Sequence, residues 1–476
     1  MIVRHSRDDR SKIWERELKM KKQGKTLDLT VGSPAKLLIV FAVPIFLCSA
    51  LQLLYGLIDT KIVGFTLGDQ ALAAVGSASP LQSLLTGFFT GLSTGFAIII
   101  ARNFGAGDEK ELKKSAGASL TLGIGITGGI VIVLALALKP VLHALNVPEA
   151  QFDRAYLYMI IVLWGMFATA AYNILAANLR AIGDSITPLI YLLIATVLNI
   201  VLDIVFIMVF KMDVDGAALA TVLSQIISAL LCLIHIRRRY PILHIEGKDL
   251  KVTGKKAKQM LQAGLSMGIM MSLVWFGTIA LQSAINTLGT AVIVAHTAAR
   301  KMTEILFLPL TSLGSAIATF TGQNLGAGKY ERIRKSVRTT IFICWIWDVC
   351  AILICLIGAG MIIHFISSSA DSEVIRWGST YLRIDTLFYF VATPITIIRN
   401  SMQGYGDHRT PIVSSAIEMV GKMAIAFLLV PVLGYWGIIW AEPIVWFFML
   451  IPLLIQAWNS PVLNGRKAKE QKEALS

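Results

Sequence analysis

Twelve long, mostly apolar runs follow one another along the chain, at about 37–60, 75–101, 116–138, 155–178, 188–210, 216–236, 260–285, 292–321, 340–363, 377–398, 411–431 and 436–457. Short polar pieces rich in Lys, Arg, Gly and Asp separate them. About 20 apolar residues are what a helix rising 1.5 Å per residue needs to cross a hydrocarbon layer roughly 30 Å thick. Backbone N–H and C=O groups find no water there, so each run is expected to close its hydrogen bonds within itself as an α-helix. The pattern predicts an all-α integral membrane protein with twelve transmembrane helices.

The composition agrees and narrows the picture. Of 476 residues, 55% are hydrophobic and only 15% charged, with a mean hydropathy of +0.69, which excludes an ordinary soluble domain. The net charge of +14 reads as a topology signal. With the N-terminus inside, 34 of the Lys and Arg residues fall in the tails and cytoplasmic loops, including Arg180, Arg399 and Arg409. Only Lys61, Lys139, Arg154 and Lys211 fall outside. That asymmetry predicts cytoplasmic N- and C-termini in a multi-pass protein, and the expected location is the plasma (inner) membrane. The cations are spread over seven short pieces without interleaved aromatics, so no nucleic-acid partner is expected. Cys48, Cys232, Cys344, Cys350 and Cys355 lie in or at apolar spans and are expected to be buried free thiols. The polar first 33 residues lack the apolar run of a cleavable signal peptide. Ile13 to Met20 is a possible interfacial helix, with a disordered tail as the alternative.

The chain is also a duplication. Arg102-Asn103-Phe104-Gly105-Ala106-Gly107 returns 221 residues later as Gln323-Asn324-Leu325-Gly326-Ala327-Gly328. Leu112-Lys113-Lys114-Ser115 returns as Ile333-Arg334-Lys335-Ser336, and Gly183-Asp184-Ser185-Ile186-Thr187-Pro188 as Gly406-Asp407-His408-Arg409-Thr410-Pro411. A near-constant offset in separate places marks a repeated unit. Six spans per copy is an even number, so both copies enter the membrane in the same direction, related by a pseudo-two-fold axis along its normal. The expected organisation is a tail (1–36), a six-helix bundle (37–236), a basic inter-bundle linker (237–259), a second six-helix bundle (260–457) and a tail (458–476). The Asn-x-Gly-Ala-Gly phrases are expected to cap a helix and lead into a short amphipathic segment. Thr187 and Thr410 are expected to N-cap helices that begin at the following proline.

Charges inside the apolar runs single out a site. A carboxylate at the centre of a membrane helix costs on the order of 2.5–3.5 kcal/mol, so embedded acids suggest function. The first copy embeds two, Asp59 in span 1 and Asp203 in span 5. Helical rise puts both roughly 13–15 Å below the outer loops. Asn199 lies one turn from Asp203, and Thr221 enters span 6 at a comparable, shallower level. Two carboxylates, an amide and a hydroxyl suit Na⁺ or protons. The alternative is a set of satisfied interior acids, or acids in a watery vestibule.

With its repeated phrases and its six-plus-six spans, the chain resembles the multidrug and toxic compound extrusion (MATE) family of cation-coupled antiporters, from about Leu37 to about Pro452. The resemblance implies two bundles facing across a central cavity, with outward- and inward-open forms alternating. It further implies export of small amphiphilic compounds, in the main cationic, in exchange for H⁺ or Na⁺, with no cofactor. In the DinF-like branch, span 1 has a proline fifteen residues before an aspartate, matched here by Pro44 and Asp59. Span 5 has Asn-x-x-x-Asp, matched by Asn199 and Asp203, and span 6 a threonine, matched by Thr221. The resemblance thus implies a cation site at Asp59, Asn199, Asp203 and Thr221, a metal site only if Na⁺ is the coupling ion, with Pro44 as a point of bending or of static kinking. The other large branch uses carboxylates in spans 7 and 10. Span 7 here has none, although Asp385 stands in span 10.

The second copy is nevertheless rich in charge: Arg300, Lys301, Glu304, Asp348, Arg383, Asp385, Glu418 and Lys422. Arg300/Glu304 and Glu418/Lys422 are opposite charges four apart, which predicts self-neutralised pairs. The sharper alternative places Arg300, Glu304 and Asp385 in a substrate cavity. Met260, Met267 and Met271 share one face of span 7, where core packing is the plain expectation and an adaptable cavity wall at Met267 and Met271 the sharper one. His296, which replaces Val75 of the first copy, is expected to be hydrogen-bonded structure. The expected partners are small molecules and lipid, and the expected state is a monomer. A lipid-linked saccharide flippase of the same superfamily is the alternative, although such proteins carry more spans and a basic cavity. No HExxH, GxSxG or paired Gly-Asp phrase supports an intramembrane enzyme.

Overall fold

The computed structural model describes residues 26–145 and 147–465; the expected interfacial helix at Ile13–Met20 lies outside them. Among the described residues, eleven helices are long and apolar enough to cross a membrane. A further pair, Ser372–Leu387 and Tyr389–Tyr405, bent by 54° at Phe388, makes the twelfth. In chain order they are α1 (Pro34–Leu67), α2 (Asp69–Ala106), α3 (Glu109–Ala144), α4 (Glu149–Ala181), α5 (Ile186–Ile204), α6 (Val214–Arg239), α7 (Gly254–Ile285), α8 (Thr290–Gly326) and α9 (Tyr330–Ser367). The bent pair is α10 and α11, followed by α12 (Arg409–Ala424) and α13 (Ala441–Asn459). The tenth apolar run read from the sequence, 377–398, falls across the bend.

The protein is therefore all-helical and built as two bundles. Their likeness extends to detail: α5 and α12 each end in one turn of π-helix, Val205–Val209 and Ile425–Leu429. The outermost helices are the equivalent α3 and α9, which leave residues such as Leu136 and Ile357 almost fully exposed. An apolar surface of this kind fits contact with the hydrocarbon of a membrane. At the centre, α2 packs against α7 and α8 across the seam. The first helix of each bundle is shared. Leu38, Phe41 and Ala42 of α1 are buried in the core of the second bundle, while Met260 and Ala263 of α7 are buried in that of the first.

The repeated phrases meet across one end of this seam. Gly107 has φ 74° and its N–H reaches back to the carbonyls of Asn103 and Phe104, closing α2 in the left-handed cap that favours glycine. The chain then enters α3 directly, its first turn held by the Asp108 carboxylate accepting from the Glu111 N–H at 2.9 Å, in place of the expected amphipathic segment. The first glycine of each phrase has a different task. A side chain on Gly105 would overlap the Gln323 carbonyl of the other copy, and one on Gly326 the Arg102 carbonyl. Asn103 donates to the Glu111 carbonyl at 3.1 Å and to Ser115 Oγ at 2.7 Å, joining the first repeated phrase to the second.

Three further local expectations are corrected. Thr187 and Thr410 are not the caps: Asp184 Oδ1 accepts from the Thr187 N–H at 2.9 Å and Asp407 Oδ1 from the Thr410 N–H at 3.2 Å, so the prolines fall inside the first turn. The aspartate wins because its carboxylate accepts from the N–H and, with its other oxygen, from the same threonine's hydroxyl. The linker is shorter than its basic composition suggests, since α6 continues to Arg239 and α7 begins at Gly254. Of the five free cysteines, Cys350 is exposed on α9 rather than buried.

Candidate functional site

In the first bundle the fold brings together the four residues singled out from the sequence. Asp203, one residue before the last of α5, is 0% exposed, and no donor reaches either of its carboxylate oxygens. The Asp59 carboxylate on α1 faces it, and Asp59 Oδ1 is also buried without a partner. Two acceptors opposed with no donor between them are a site for something positive, because neither oxygen recovers the hydrogen bonds that water gave it. Asn199, fully buried one turn earlier, donates to Thr221 Oγ1 at a long 3.5 Å, and its own Oδ1 has no partner. Asn199, Asp203 and Asp59 thus leave four buried oxygens free. No three His, Cys, Asp or Glu side chains converge anywhere among the described residues. The site is a pair of carboxylates with neutral oxygen donors, which fits a proton or a hard cation such as Na⁺.

Tyr55, near Asp59, and Thr221, bonded to Asn199, stand beside a cavity of about 300 Å³ in the same bundle. Their hydroxyls are 2.9 Å apart, and both line the cavity, together with Gln52, Gln82, Thr86 and Asn173. Tyr158 donates to Gln82 Oε1 at 3.2 Å and stands within electrostatic reach of both aspartates. Sequence reasoning missed Tyr55, Gln82 and Tyr158. Tyr55 had a signal, since it precedes Asp59 by one helical turn. The other two come from α2 and α4, and only tertiary packing brings them near. Pro44 is buried where α1 packs against the second bundle, and α1 continues through it as one helix. The π-turn after Asp203 marks no site by itself, because Ile425–Leu429 repeats it beside Ala426.

A second cavity of about 320 Å³ lies in the second bundle. Met271, Arg300, Glu304 and Asp385 line it as proposed from the sequence, whereas Met267 does not. Met267 is buried with Ile98 of α2 and Ala318 of α8 in the packing between the bundles. The expected Arg300/Glu304 pair is absent: Glu304 takes Lys301 at 3.4 Å and Arg300 takes Glu442 at 3.6 Å. Side chains four apart on a helix meet only if neither finds a better partner on a neighbouring helix, and Glu442 of α13 supplies one. The Glu418–Lys422 pair forms, at 2.9 Å, and Lys422 also reaches Glu442 at 2.9 Å. Arg399, counted above with the loop cations, is instead only 13% exposed and pairs with Glu418 at 3.7 Å. The result is one chain of charges, Arg300–Glu442–Lys422–Glu418–Arg399. Glu442 was missed although it lies inside the last apolar run, 436–457. Asp348 accepts from Thr393 at 2.7 Å, and Arg383 is exposed. His296 bonds the Tyr435 hydroxyl at 3.1 Å and meets the Tyr381 ring edge-on.

Known proteins place this architecture. The model of the MatE family matches residues 44–205 and again 266–428, so the two copies match it separately. "Probable multidrug resistance protein YpnP" of Bacillus subtilis is 30% identical over 366 residues, covering 77% of this chain and 81% of its own. "Probable multidrug resistance protein YoeA" of the same organism is 28% identical, covering 83% and 88%. Among solved structures, a crystal structure of "MATE in the bent conformation" superposes with a TM-score of 0.86 at 23% identity, covering 94% of this chain and all of that one. An "outward-facing conformation of a multidrug resistance MATE family transporter" gives 0.83 at 23% identity, covering 91% and 97%. At that identity the structures attest the fold, and the family match and the relatives attest the kinship. The chain belongs to the MatE family and is a multi-pass membrane transporter, not an enzyme.

Proposed function

We propose that this transporter is a cation-coupled antiporter of the DinF-like branch, exporting small amphiphilic compounds, in the main cationic, across the plasma membrane. The observation that carries the reading is the opposed pair Asp59 and Asp203, with three buried carboxylate oxygens that no donor reaches, beside Tyr55 and Thr221, which line the first cavity. A cation entering there, H⁺ or Na⁺, offsets one of the two negative charges and relieves the repulsion across the pair. Because α1 carries Asp59 at one depth and packs into the second bundle at another, a shift of α1 about Pro44 offers a route from site to seam. Binding of cation and of substrate is then mutually exclusive. An inward membrane potential assists cation entry by roughly 2.3 kcal/mol per charge per 100 mV.

The distribution of Lys and Arg supports cytoplasmic termini, which puts the glycine-rich turns on the cytoplasmic side. There the bundles are in backbone contact at Gly105 and Gly326, while Gly76, nearer the other end of α2, has nothing within 4 Å of a side-chain position. That contrast supports an outward-facing state. Names of relatives such as "Multidrug export protein MepA" of Staphylococcus saprophyticus support drug-like substrates over the flippase alternative. The protein is proposed to work as a monomer, with domain limits as read from the sequence and the linker as refined above. The test is efflux from reconstituted vesicles under an imposed Na⁺ gradient and, separately, an imposed pH gradient. One of the two should drive efflux in the parent and neither in the Asp59→Asn/Asp203→Asn variant. Undiminished gradient-driven efflux in that variant overturns the site.

A further inference from the structure

The duplication begins upstream of the first span. Asp28-Leu29-Thr30-Val31 precedes α1, and Asp249-Leu250-Lys251-Val252 precedes α7 221 residues later. Each segment lies against the bundle it does not introduce. The later one crosses to the first bundle: the Asp249 backbone packs on Gly117, and the Leu250 carbonyl accepts from Thr121 Oγ1 at 3.0 Å. Lys256 just beyond it reaches Glu111 at 2.7 Å.

The earlier one is held far more closely. Leu29 is 0% exposed in the core of the second bundle. Its N–H donates to Gln323 Oε1 at 3.2 Å, and its carbonyl accepts from Asn324 Nδ2 and Arg332 Nη2, each at 3.1 Å. The Thr30 carbonyl accepts from Lys329 Nζ at 2.9 Å and the Gly32 carbonyl from Arg332 Nη1 at 2.8 Å. On its other edge the Leu27 N–H donates to the Gly183 carbonyl of the first bundle at 3.3 Å. Gln323 completes the crossing. While its oxygen accepts from Leu29, its Nε2 donates to the Ala181 carbonyl, also of the first bundle, at 2.8 Å. Its counterpart in the first copy is Arg102, which is exposed.

We propose that Leu27–Gly32 is a latch that holds the two bundles together at the glycine-rich end, with Gln323 as the positioning residue that ties the latch to both. Separating the bundles at Gly105 and Gly326 breaks the Gln323–Ala181 bond and, with it, either the strap's bond to Gly183 or its bonds to residues 323–332. The strap therefore stabilises the closed form alone, and weakening it moves the balance toward opening at that end. The latch rests on the alternating-access part of the reading above, and not on the identity of the coupling ion or the substrate.

Spin labels on cysteines replacing Lys110 and Lys335, exposed positions on α3 and α9 at this end, report the opening as a distance by pulsed electron paramagnetic resonance, with the native cysteines replaced. In the parent the shorter distance should dominate. Gln323→Ala, which removes the bonds to Leu29 and Ala181, should raise the ratio of longer to shorter distance by about tenfold or more. Arg332→Ala is a second variant, which frees the Leu29 and Gly32 carbonyls and so loosens the strap that carries the Leu27 N–H to Gly183, and it should shift the ratio the same way. Variants that are monodisperse with the parent's distance distribution overturn the latch. The measurement uses no substrate and no ion gradient, so it is separable from the exchange reading. Variants that open in a protein showing no gradient-driven efflux keep the latch and overturn the exchange.

Discussion

Replacing Asp203 by Asn separates a working carboxylate from a structural one, because the two roles move stability in opposite directions. The change is close to isosteric, at a position with no exposure and no donor to either oxygen. The new amide N–H can donate to Asp59, whose Oδ1 is likewise unsatisfied. A hydrogen bond to a charged group contributes about 1.5–3 kcal/mol net, and the variant no longer buries one of two like charges. At about 2.1 cal/mol/K per residue, a chain of 476 residues unfolds with an entropy of about 1 kcal/mol/K. The melting temperature should therefore rise by about 2–3 °C. The gain should be largest where both acids are ionised in the parent and smallest where a shared proton bridges them. Gradient-driven efflux from vesicles should meanwhile fall to the level of protein-free vesicles, the trade of activity for stability expected at a functional site. The assays are a fluorescence melt in detergent and efflux after reconstitution. Retained efflux, or a melt lowered by a few degrees, would refute the reasoning, since the latter is what losing a satisfied structural acid produces.

Lys422→Met removes the cation lying 2.9 Å from both Glu418 and Glu442, in a side chain only 3% exposed. Each glutamate keeps just a guanidinium at 3.6–3.7 Å, so a loss of about 3–5 kcal/mol is expected in the melt. Glu418→Gln/Lys422→Met should lose less than the single variant, and equal losses would refute the ion-pair chain. His296→Val, which restores the residue of the first copy, leaves the Tyr435 hydroxyl without its partner at 3.1 Å. It should cost about 1–3 kcal/mol with efflux retained, whereas a folded variant without efflux would make His296 a proton relay.

Much of the site was legible because lipid makes charge expensive. Asp203 stands out in Ile186–Val209 because nothing else there is charged, Asp59 stands out likewise within span 1, and helical rise sets them at matching depth. The second bundle defeated the same logic. It holds many charges, and pairing along one helix favoured Arg300 with Glu304, while the fold gave Arg300 to Glu442 on another helix. Met267 failed likewise: its face of span 7 was legible, but whether that face meets a cavity or α2 was not.

The sequence by itself determined what depends on local chemistry and one dimension. Run length decided twelve helices, since backbone groups in hydrocarbon must bond within their own segment. The constant offset decided two copies, and the even span count their common direction. Only the tertiary structure decided which groups left over by each helix meet one another. It set Tyr55 against Thr221, carried Leu29 across the seam to Gln323, and turned one glycine of each repeated phrase from a cap into a contact between bundles. Such meetings depend on distances between helices of a few ångströms, and no periodicity along one chain encodes them.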